Sequence, residues 1–344
     1  MPEPRVPERR KKPGVVYAVT DDGVELPVID VTHPAFSLPA TDAELQRRSE
    51  AFIREAVRRR RIPPLLQRLM YRVVLRNSVI ARGIAGAKGS FLSSLHTYLL
   101  KLGADNLGSY AAPIDRKIAA SLPGLGVRLR LQDVASLLAS RLGRMLDERS
   151  GTPCSLVNIG GGSAIDTLNA LILVRHDRPH VFDGRRITID VLDLDPAGPS
   201  FGRGALAALR AEGAALAGVD VVLNHVHYSW SDAATQLPVV LHRIPPGAIV
   251  AVSSEGALFE YGSDEEVVAN LRALHEAAPA DTFIVGSQTR DDGPAPYLDS
   301  HSGIPLHPRS STDFAALGRR GGWVVSDMVE RPFGRNVVLT KDHE

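Results

Sequence analysis

The chain has 344 residues, 44% of them hydrophobic, and a formal net charge of +1, so it is long enough for two structural units with a full core. A charge so close to zero creates no global field that would attract nucleic acid. The single cysteine, Cys154, excludes an internal disulfide framework. No apolar run could cross a bilayer, and the basic N-terminus lacks the apolar core of a signal peptide. We therefore expect a cytoplasmic protein with no membrane partner.

The first 150 residues show a hairpin pattern followed by helical patterns. Residues 1–14 are charged and proline-rich, which predicts a disordered tail. Two β-rich runs, 15–19 and 24–31, flank an Asp-Gly pair that favours a hairpin turn. Thr41 and Glu44 predict a capped helix start, and apolar spacing predicts helices over 65–84, 91–102, 113–120 and 131–146. Residues 15–150 are expected to form a hairpin and a helical unit that serves as a lid or in dimerisation.

Four consecutive arginines, Arg58 to Arg61, close the first predicted helix. Such a run could form an anion site or a nucleic-acid site. No interleaved aromatic residues provide stacking platforms for bases, however, and basic residues at a helix C-terminus are favoured by the helix dipole. A solvated helix end is therefore the preferred interpretation.

The second half of the chain is organised around the stretch SLVNIGGGSAID at 155–166. Its apolar run predicts a buried strand, Gly160, Gly161 and Gly162 predict a turn, and the apolar spacing from Ile165 predicts a helix. Strand, glycine turn and helix form the first unit of a doubly wound α/β sheet, with a ligand at the carboxyl end of the strand. The helix N-terminus then offers unpaired N–H groups to a polar or anionic ligand.

Two ligands compete for this turn, a dinucleotide and S-adenosylmethionine. Gly160 and Gly162 match the dinucleotide fingerprint, but Ile165 stands where a third glycine or small residue allows close packing. The turn instead resembles motif I of the class I S-adenosylmethionine-dependent methyltransferases, in which a strand ends in an acidic or amide residue followed by apolar-Gly-x-Gly. Asn158 takes the polar position, and Ala164 stands where a third glycine is common. The resemblance implies S-adenosylmethionine as cofactor, contacted by Asn158 and the three glycines.

The next predicted strand, 187–194, ends in Asp-Leu-Asp-Pro. A carboxylate at this position can accept two hydrogen bonds from the vicinal hydroxyls of a ribose. The resemblance makes Asp193 the ribose ligand with Leu194 beside it, and Asp195 is the alternative ligand or a cap of the next helix, predicted over 205–216. A third strand, 219–226, precedes Tyr228, Ser229 and Trp230, which the resemblance places around the adenine. A core tryptophan beside a helix cap is the alternative interpretation of that segment.

A fourth predicted strand, 248–253, ends beside the expected reaction centre. In the family, residues just past this strand face both the reactive methyl group and the acceptor, and a general base there must be His, Glu or Asp. Glu255 is the first choice, and His301 and His307 of the long loop 288–309 are alternatives. The resulting candidates are catalytic Glu255, His227 and Glu260, cofactor contact Ser253, and acceptor contacts Ser254, Tyr261 and Tyr110.

The third predicted strand offers a candidate metal site. His225 and His227 alternate by two and share one strand face, so with Glu255 they could form a two-His, one-carboxylate site. Nothing else in the sequence supports that set. One core histidine and one histidine near the adenine are preferred, and no metal is expected.

The remaining pattern completes the fold. A helix capped by Asp264 over 264–273, a fifth strand over 282–287, a helix over 314–317 and strands over 323–330 and 336–341 follow in turn. Residues 151–344 thus resemble the class I methyltransferase domain. The expected fold is α/β, a doubly wound seven-stranded mostly parallel sheet with an antiparallel last strand, preceded by a helical N-terminal unit.

The expected function is methyl transfer from S-adenosylmethionine to a small-molecule acceptor, because the near-neutral charge and the helical lid disfavour a large nucleic-acid acceptor. The helical unit could also form a homodimer. Three alternatives remain open. The chain could be an NAD(P)-dependent oxidoreductase on the same sheet, or a non-catalytic S-adenosylmethionine-binding interaction module, an option that Asn158 and Ala164 keep open. It could also methylate RNA through its arginine-rich helix.

Overall fold

The computed structural model describes residues 6, 10–38, 40–85, 94–298 and 306–342. Nine strands lie within these ranges, namely Tyr17–Val19 (β1), Glu25–Pro27 (β2), Cys154–Ile159 (β3), Arg186–Asp193 (β4), Asp220–His227 (β5), Ile249–Ser254 (β6), Phe283–Thr289 (β7), Trp323–Glu330 (β8) and Gly334–Lys341 (β9).

Twelve α-helices lie within the same ranges. They are Asp42–Arg59 (α1), Pro64–Asn77 (α2), Val79–Ala85 (α3), Ser94–Leu102 (α4), Pro113–Ala120 (α5), Leu122–Glu148 (α6), Ile165–Asp177 (α7), Ala197–Leu209 (α8), Ala233–Leu241 (α9), Leu258–Tyr261 (α10), Asp264–Ala277 (α11) and Ser311–Arg320 (α12). Over the described residues, no helix combines the length and the apolarity needed to cross a bilayer.

Seven strands form one sheet in the order β5-β4-β3-β6-β7-β9-β8. The first five strands in this order, β5, β4, β3, β6 and β7, are parallel to one another. β9 pairs antiparallel with both β7 and β8. Every residue of β3, β6 and β7 is buried, which explains their nearly uninterrupted apolar runs. The predicted doubly wound, mostly parallel sheet with an antiparallel last strand is confirmed. The strand order reverses between β3 and β6, where such sheets open a ligand crevice.

The N-terminal segment packs onto this sheet. β1 and β2 form the predicted antiparallel hairpin, and Gly23 adopts the positive φ of 80° that its turn requires. One hydrophobic core cluster runs from Ala18 and Tyr98 through α6 and α7 into β3, β4 and β5. The helices before residue 150 therefore share their core with the sheet.

The prediction of one continuous helix over 65–84 was wrong, because the structure has two helices there, α2 and α3. Ser78 leaves the helical region, with φ −123° and ψ 125°, and separates α2 from α3. The cause is the buried Asp115 carboxylate, whose Oδ1 accepts hydrogen bonds from the Ser78 hydroxyl at 2.5 Å and from the Ile80 N–H at 3.0 Å. A polar contact across 35 or more residues of sequence thus breaks a locally helical pattern.

Other helices also begin at residues that differ from the predictions, or are capped by a different side chain. α6 begins at Leu122 rather than 131, since the Ser121 hydroxyl accepts the Gly124 N–H. α8 spans 197–209 rather than 205–216, since Asp195 Oδ1 accepts the Ala197 N–H at 3.0 Å. Ser263, not Asp264, caps α11. The helix predicted over 91–102 is described from residue 94 onward, and residues 91–93 lie outside the described ranges.

Candidate functional site

The glycine turn joins β3 to α7 at the carboxyl edge of the sheet. Gly160 and Gly162 have φ angles of 63° and 53°, which side-chain-bearing residues rarely adopt. A Cβ on Gly160 would also lie 2.4 Å from the Cβ of Ala257, in the loop after β6. The turn is tied to β4, because the Gly160 N–H donates to the Leu192 carbonyl at 2.7 Å. The backbone here therefore requires glycine and approaches its neighbours closely.

A cavity of about 680 Å³ opens beside this turn. The ends of β4 and β6 form one side, and α3, α4 and α6 of the N-terminal helices form the other. The predicted site residues that line it are Gly160, Gly161, Gly162, Asp193, Leu194, Trp230, Glu255, Glu260 and Tyr261. The structure thus brings most of the motif residues together at one cavity.

Asp193 holds the glycine turn and its own loop together. Its Oδ2 accepts the Gly162 N–H at 2.8 Å, and its Oδ1 accepts the Asp195 N–H at 2.9 Å. Burial raises the pKa of this carboxyl, and the two backbone donors oppose that rise. Each carboxylate oxygen has a further lone pair, so Asp193 can still accept hydrogen bonds from a ligand in the cavity. Asp195 lines the same cavity while it caps α8.

Asn158 lies under the turn rather than in the cavity, which corrects its assignment as a direct contact. The side chain is fully buried, and its Nδ2 donates to Asp166 Oδ1 and Thr167 Oγ1, both at 2.8 Å. Ser253 is likewise absent from the cavity wall, since its hydroxyl pairs with that of Thr167 at 3.2 Å. Burial raises the pKa of Asp166, and Glu255 adds to that rise. These side chains support the turn from below.

The segment after β5 contributes only Trp230 to the cavity. Tyr228 points into the core, where its hydroxyl donates to Asn270 Oδ1 at 2.5 Å and burial raises its pKa. Ser229 does not line the cavity either. Trp230 approaches the turn, because a Cβ on Gly160 would lie 3.4 Å from its ring. Of the three residues expected around an adenine, only Trp230 lines the cavity.

Three further candidates lie away from the cavity. His227 is an exposed residue at the end of β5, an edge strand. Ser254 is buried, and its hydroxyl donates to the Ile159 carbonyl at 3.1 Å, which holds β6 to β3. Tyr110 packs against the core of the N-terminal part, where burial raises its pKa to about 12. None of the three is among the residues that line the cavity.

The described histidine of the long loop does not line the cavity, and the considered metal site of His225, His227 and Glu255 does not form. His301 lies outside the described residues. The His307 N–H donates to the Glu260 carbonyl at 2.8 Å, and the side chain is not among those that line the cavity. Over the described residues, no group of three or more His, Cys, Asp and Glu side chains is arranged to hold a metal ion.

Glu255 and Glu260 belong to a buried ion network with two cations from the N-terminal helices. Lys101 of α4 pairs with Glu255 Oε2, and Arg130 Nε of α6 donates to Glu255 Oε1 at 2.6 Å. Arg130 Nη1 donates to both oxygens of Glu260 at 2.9 Å. Burial would raise the pKa of Glu255, but Lys101 and Arg130 outweigh it and hold the pKa below its ordinary value. Burial raises the pKa of Glu260, and Arg130 offsets only part of that rise.

His96 is a cavity residue that the sequence analysis missed. It projects from α4, and its Nδ1 is buried with no hydrogen-bond partner among the described residues. Burial lowers its pKa, Arg82 lowers it further, and Asp195 opposes both. A Cβ on Gly83 would lie 1.9 Å from the ring, so the glycine makes room for it. Because its pKa is lowered, the imidazole is neutral near pH 7.

Lys101, Arg130 and His96 had a weak signal in the sequence. His96 and Lys101 stand among apolar residues of the helix predicted over 91–102, where a polar residue needs a partner. Arg130 stands between Leu129 and Leu131, one residue before the helix predicted over 131–146. The sequence does not show which distant side chain that partner is.

No protein-family model and no curated protein matches this sequence. Among solved structures, a possible exported protein from Bordetella parapertussis aligns with a TM-score of 0.52 and 16% identity over 89% of this chain and 100% of that one, which shows a shared fold. An O-methyltransferase of neocarzinostatin biosynthesis, solved with S-adenosylhomocysteine and 1,4-dihydroxy-2-naphthoic acid, aligns with a TM-score of 0.37 and 19% identity over 54% of this chain and 49% of that one. A Burkholderia thailandensis 1,6-didemethyltoxoflavin-N1-methyltransferase, solved with its namesake compound and S-adenosylhomocysteine, aligns with a TM-score of 0.41 and 14% identity over 74% and 93%.

Proposed function

We propose that this protein is an S-adenosylmethionine-dependent methyltransferase that acts on a small-molecule acceptor. The observation that carries the proposal is the meeting of the glycine turn with Asp193 on one cavity, at the point where the strand order reverses. In doubly wound sheets this crevice takes nucleotide ligands. Ile165 supports the sulfonium cofactor over a dinucleotide, because the third position of the dinucleotide fingerprint is a glycine or another small residue.

The residues that line the cavity fit S-adenosylmethionine. The glycine turn is a cradle that a side chain would fill, so it would hold the amino-acid tail close to the backbone. Asp193 would accept hydrogen bonds from the ribose hydroxyls with the lone pairs that Gly162 and Asp195 leave unused. Trp230 would flank the adenine. When bound, this cofactor supplies an electrophilic methyl group.

The acceptor would occupy the part of the cavity between the N-terminal helices and α10. Pockets for small ligands commonly have volumes of roughly 300–1,000 Å³, and the cavity of about 680 Å³ suits a cofactor with a compact acceptor. Tyr261 and Glu260 face this part from α10, and His96 faces it from α4. Residues 15–150 would thus act as the lid over the catalytic part, 151–344.

Within this proposal His96, rather than Glu255, accepts the acceptor's proton. A general base needs a free lone pair and a pKa near the working pH. Glu255 is held by Lys101 and Arg130, and its lowered pKa makes it a poor base. His96 lines the cavity, and burial lowers its pKa, so its imidazole is neutral at pH 7 and able to take a proton. Glu255 instead fixes the lid helices against the end of β6.

Calorimetric titration with S-adenosylhomocysteine tests the cofactor assignment. We expect binding by the wild type and a loss of at least roughly tenfold, or about 1.4 kcal/mol, in Asp193→Asn. The matched control is Asp190→Asn on the same strand, whose carboxylate meets only Asn224 at an exposed position. Tighter binding of NAD than of S-adenosylhomocysteine would favour the oxidoreductase alternative and contradict the proposal.

Transfer of a labelled methyl group tests the reaction itself. The protein is incubated with methyl-labelled S-adenosylmethionine and, in parallel reactions, with the small-molecule fraction and with the RNA fraction of a cell extract. We expect a labelled product of low molecular mass. Cofactor binding without any labelled product would instead favour a non-catalytic binding module, and label in RNA alone would favour RNA methylation.

A further inference from the structure

α2 exposes an apolar face to solvent. Of the nine large hydrophobic side chains that are exposed in the described ranges, five lie on this one helix. We call them the apolar face of α2: Leu65 (80% exposed), Leu66 (48%), Leu69 (58%), Met70 (52%) and Val73 (56%). Their spacing of three and four residues places them side by side on one surface of the helix. Single exposed hydrophobic residues are ordinary, whereas a contiguous set of this kind marks a contact surface.

A row of arginines borders this face. Arg68, Arg72 and Arg76 recur every four residues and are exposed, so they line one flank of the helix beside the apolar face. The end of α1 adds Arg58 and Arg59, whose side chains are 80% and 64% exposed. The sequence contains no Asp or Glu between Glu55 and Asp105. The near-zero net charge of the whole chain therefore conceals a strongly basic local surface.

The partner of this surface must be both apolar and anionic. A second copy of the chain, docked about a two-fold axis through α2, would bring two arginine rows together with no nearby acidic residue from this segment to pair with them. Single-stranded RNA would match the charge but would leave the five apolar side chains in water. A bilayer that contains anionic lipid matches both, because its headgroups attract arginines while its acyl boundary accepts Leu, Met and Val side chains.

We propose that α2 docks on the surface of anionic membranes as an interfacial helix. The helix lies in the headgroup plane with its apolar face inserted and its arginines on the lipid phosphates. Such a contact needs no spanning segment, so the proposal revises the sequence-based expectation of no membrane partner. α3 follows directly after Ser78 and contributes Arg82 and Gly83 to the cavity wall. Docking would therefore place that wall one short helix away from the lipid.

Cosedimentation of the full-length protein with vesicles tests the proposal. We expect binding to an equimolar mixture of phosphatidylcholine and phosphatidylglycerol, and at least roughly tenfold weaker binding to phosphatidylcholine alone. Added salt should weaken the binding. The variant Leu69→Glu/Met70→Glu should lose it, while the control Val239→Glu, at an exposed apolar position of α9, should bind like the wild type.

The arginine row is tested separately, which keeps the proposal testable if the glutamate variant folds poorly. Arg68→Gln/Arg72→Gln/Arg76→Gln should reduce affinity for the anionic vesicles on the order of 100-fold. The control Arg319→Gln/Arg320→Gln, at exposed positions of α12, should leave affinity unchanged. Melting temperatures of all variants confirm their fold.

Three results would overturn the proposal. The first is an absence of binding to anionic vesicles at low salt, or binding that survives the glutamate variant. The second is a wild-type dimer in sedimentation equilibrium that the glutamate variant dissociates while vesicles remain unbound, which assigns the face to a second copy. The third is binding of polyuridylic acid that the arginine variant loses and the glutamate variant keeps, without vesicle binding, which assigns the surface to RNA.

Discussion

At the scale of single residues, the neighbours of a side chain decide its chemistry. Glu255 stands where a base is expected, just past the end of β6, but Arg130 and Lys101 convert it into part of an ion network. Glu260 depends on the same arginine. One buried guanidinium thus pairs with two buried carboxylates, and its removal would leave both in a low-dielectric environment with incomplete pairing.

We expect Arg130→Met to destabilise the protein by about 3–5 kcal/mol, the range found when one partner of a buried ion pair is removed. Urea unfolding measures the change. Arg144→Met is the matched control, because Arg144 is an exposed residue on the same helix, and it should change the free energy of unfolding by less than about 0.5 kcal/mol. Equal stability of the two variants would show that the network contributes nothing.

His96→Gln tests the proposed base. Because burial holds the pKa of His96 below its ordinary value, the imidazole is neutral at pH 7, and the rate should fall only as the pH drops below about 6.5. At pH 7 the rate of methyl transfer by the variant should be roughly 10²- to 10⁴-fold lower. Its rate should also no longer show the fall at acidic pH. The readout is the pH dependence of labelled-methyl transfer.

Two controls separate the role of His96 from a loss of binding or fold. Affinity for S-adenosylhomocysteine should not change in His96→Gln. His176→Gln replaces an exposed surface histidine and should keep the wild-type profile. If the rate of His96→Gln still falls below about pH 6.5, the group whose protonation causes that fall is not His96.

At the scale of elements, the glycine turn depends on the polar layer beneath it. A Cβ on Gly161 would lie 2.2 Å from Asn158 Oδ1, whose side chain is fixed by Asp166 and Thr167. We expect Gly161→Ala to destabilise the protein by about 1–3 kcal/mol, the usual cost of overpacking, and to weaken S-adenosylhomocysteine binding. Urea unfolding and calorimetry measure the two effects.

A double-mutant cycle identifies the cause. In the background Asn158→Ala, the amide that the new methyl group would strike is gone, so Gly161→Ala should cost much less there. An unchanged cost would show that the clash with Asn158 is not responsible.

Local patterns predicted the elements well where the signal is local. The strand, glycine turn and helix at 155–166, the Asp-Gly hairpin and the strand Trp323–Glu330 are as predicted, because turn chemistry and apolar spacing act within a few residues. The break at Ser78 was not predictable, because its cause, Asp115, is 37 residues away. The same holds at the cavity: the glycine turn and Asp193, which local patterns pointed to, both line it, whereas Asn158 turns inward to partners on the next helix.

At the scale of the whole molecule, the cavity is made by both halves of the chain. Lys101 and Arg130 reach Glu255 across 154 and 125 residues of sequence. Arg331 and Asn336 likewise bind the Asp133 carboxylate of α6. No local pattern encodes such pairs, which is why the sequence predicted a lid but not the groups that it brings to the site. The shared core cluster and these ion pairs tie the N-terminal helices to the sheet.

We therefore expect the N-terminal helices and the sheet to unfold in one cooperative transition. The only tryptophans, Trp230 and Trp323, both lie in the sheet half, so their fluorescence reports that half alone. Far-UV circular dichroism also reports α1 to α6. Urea transitions followed by the two probes should coincide within error, as a two-state process requires. Loss of helical signal before any change in fluorescence would show that the N-terminal helices unfold independently of the sheet. Their packing over the cavity would then be a separate equilibrium from the folding of the sheet.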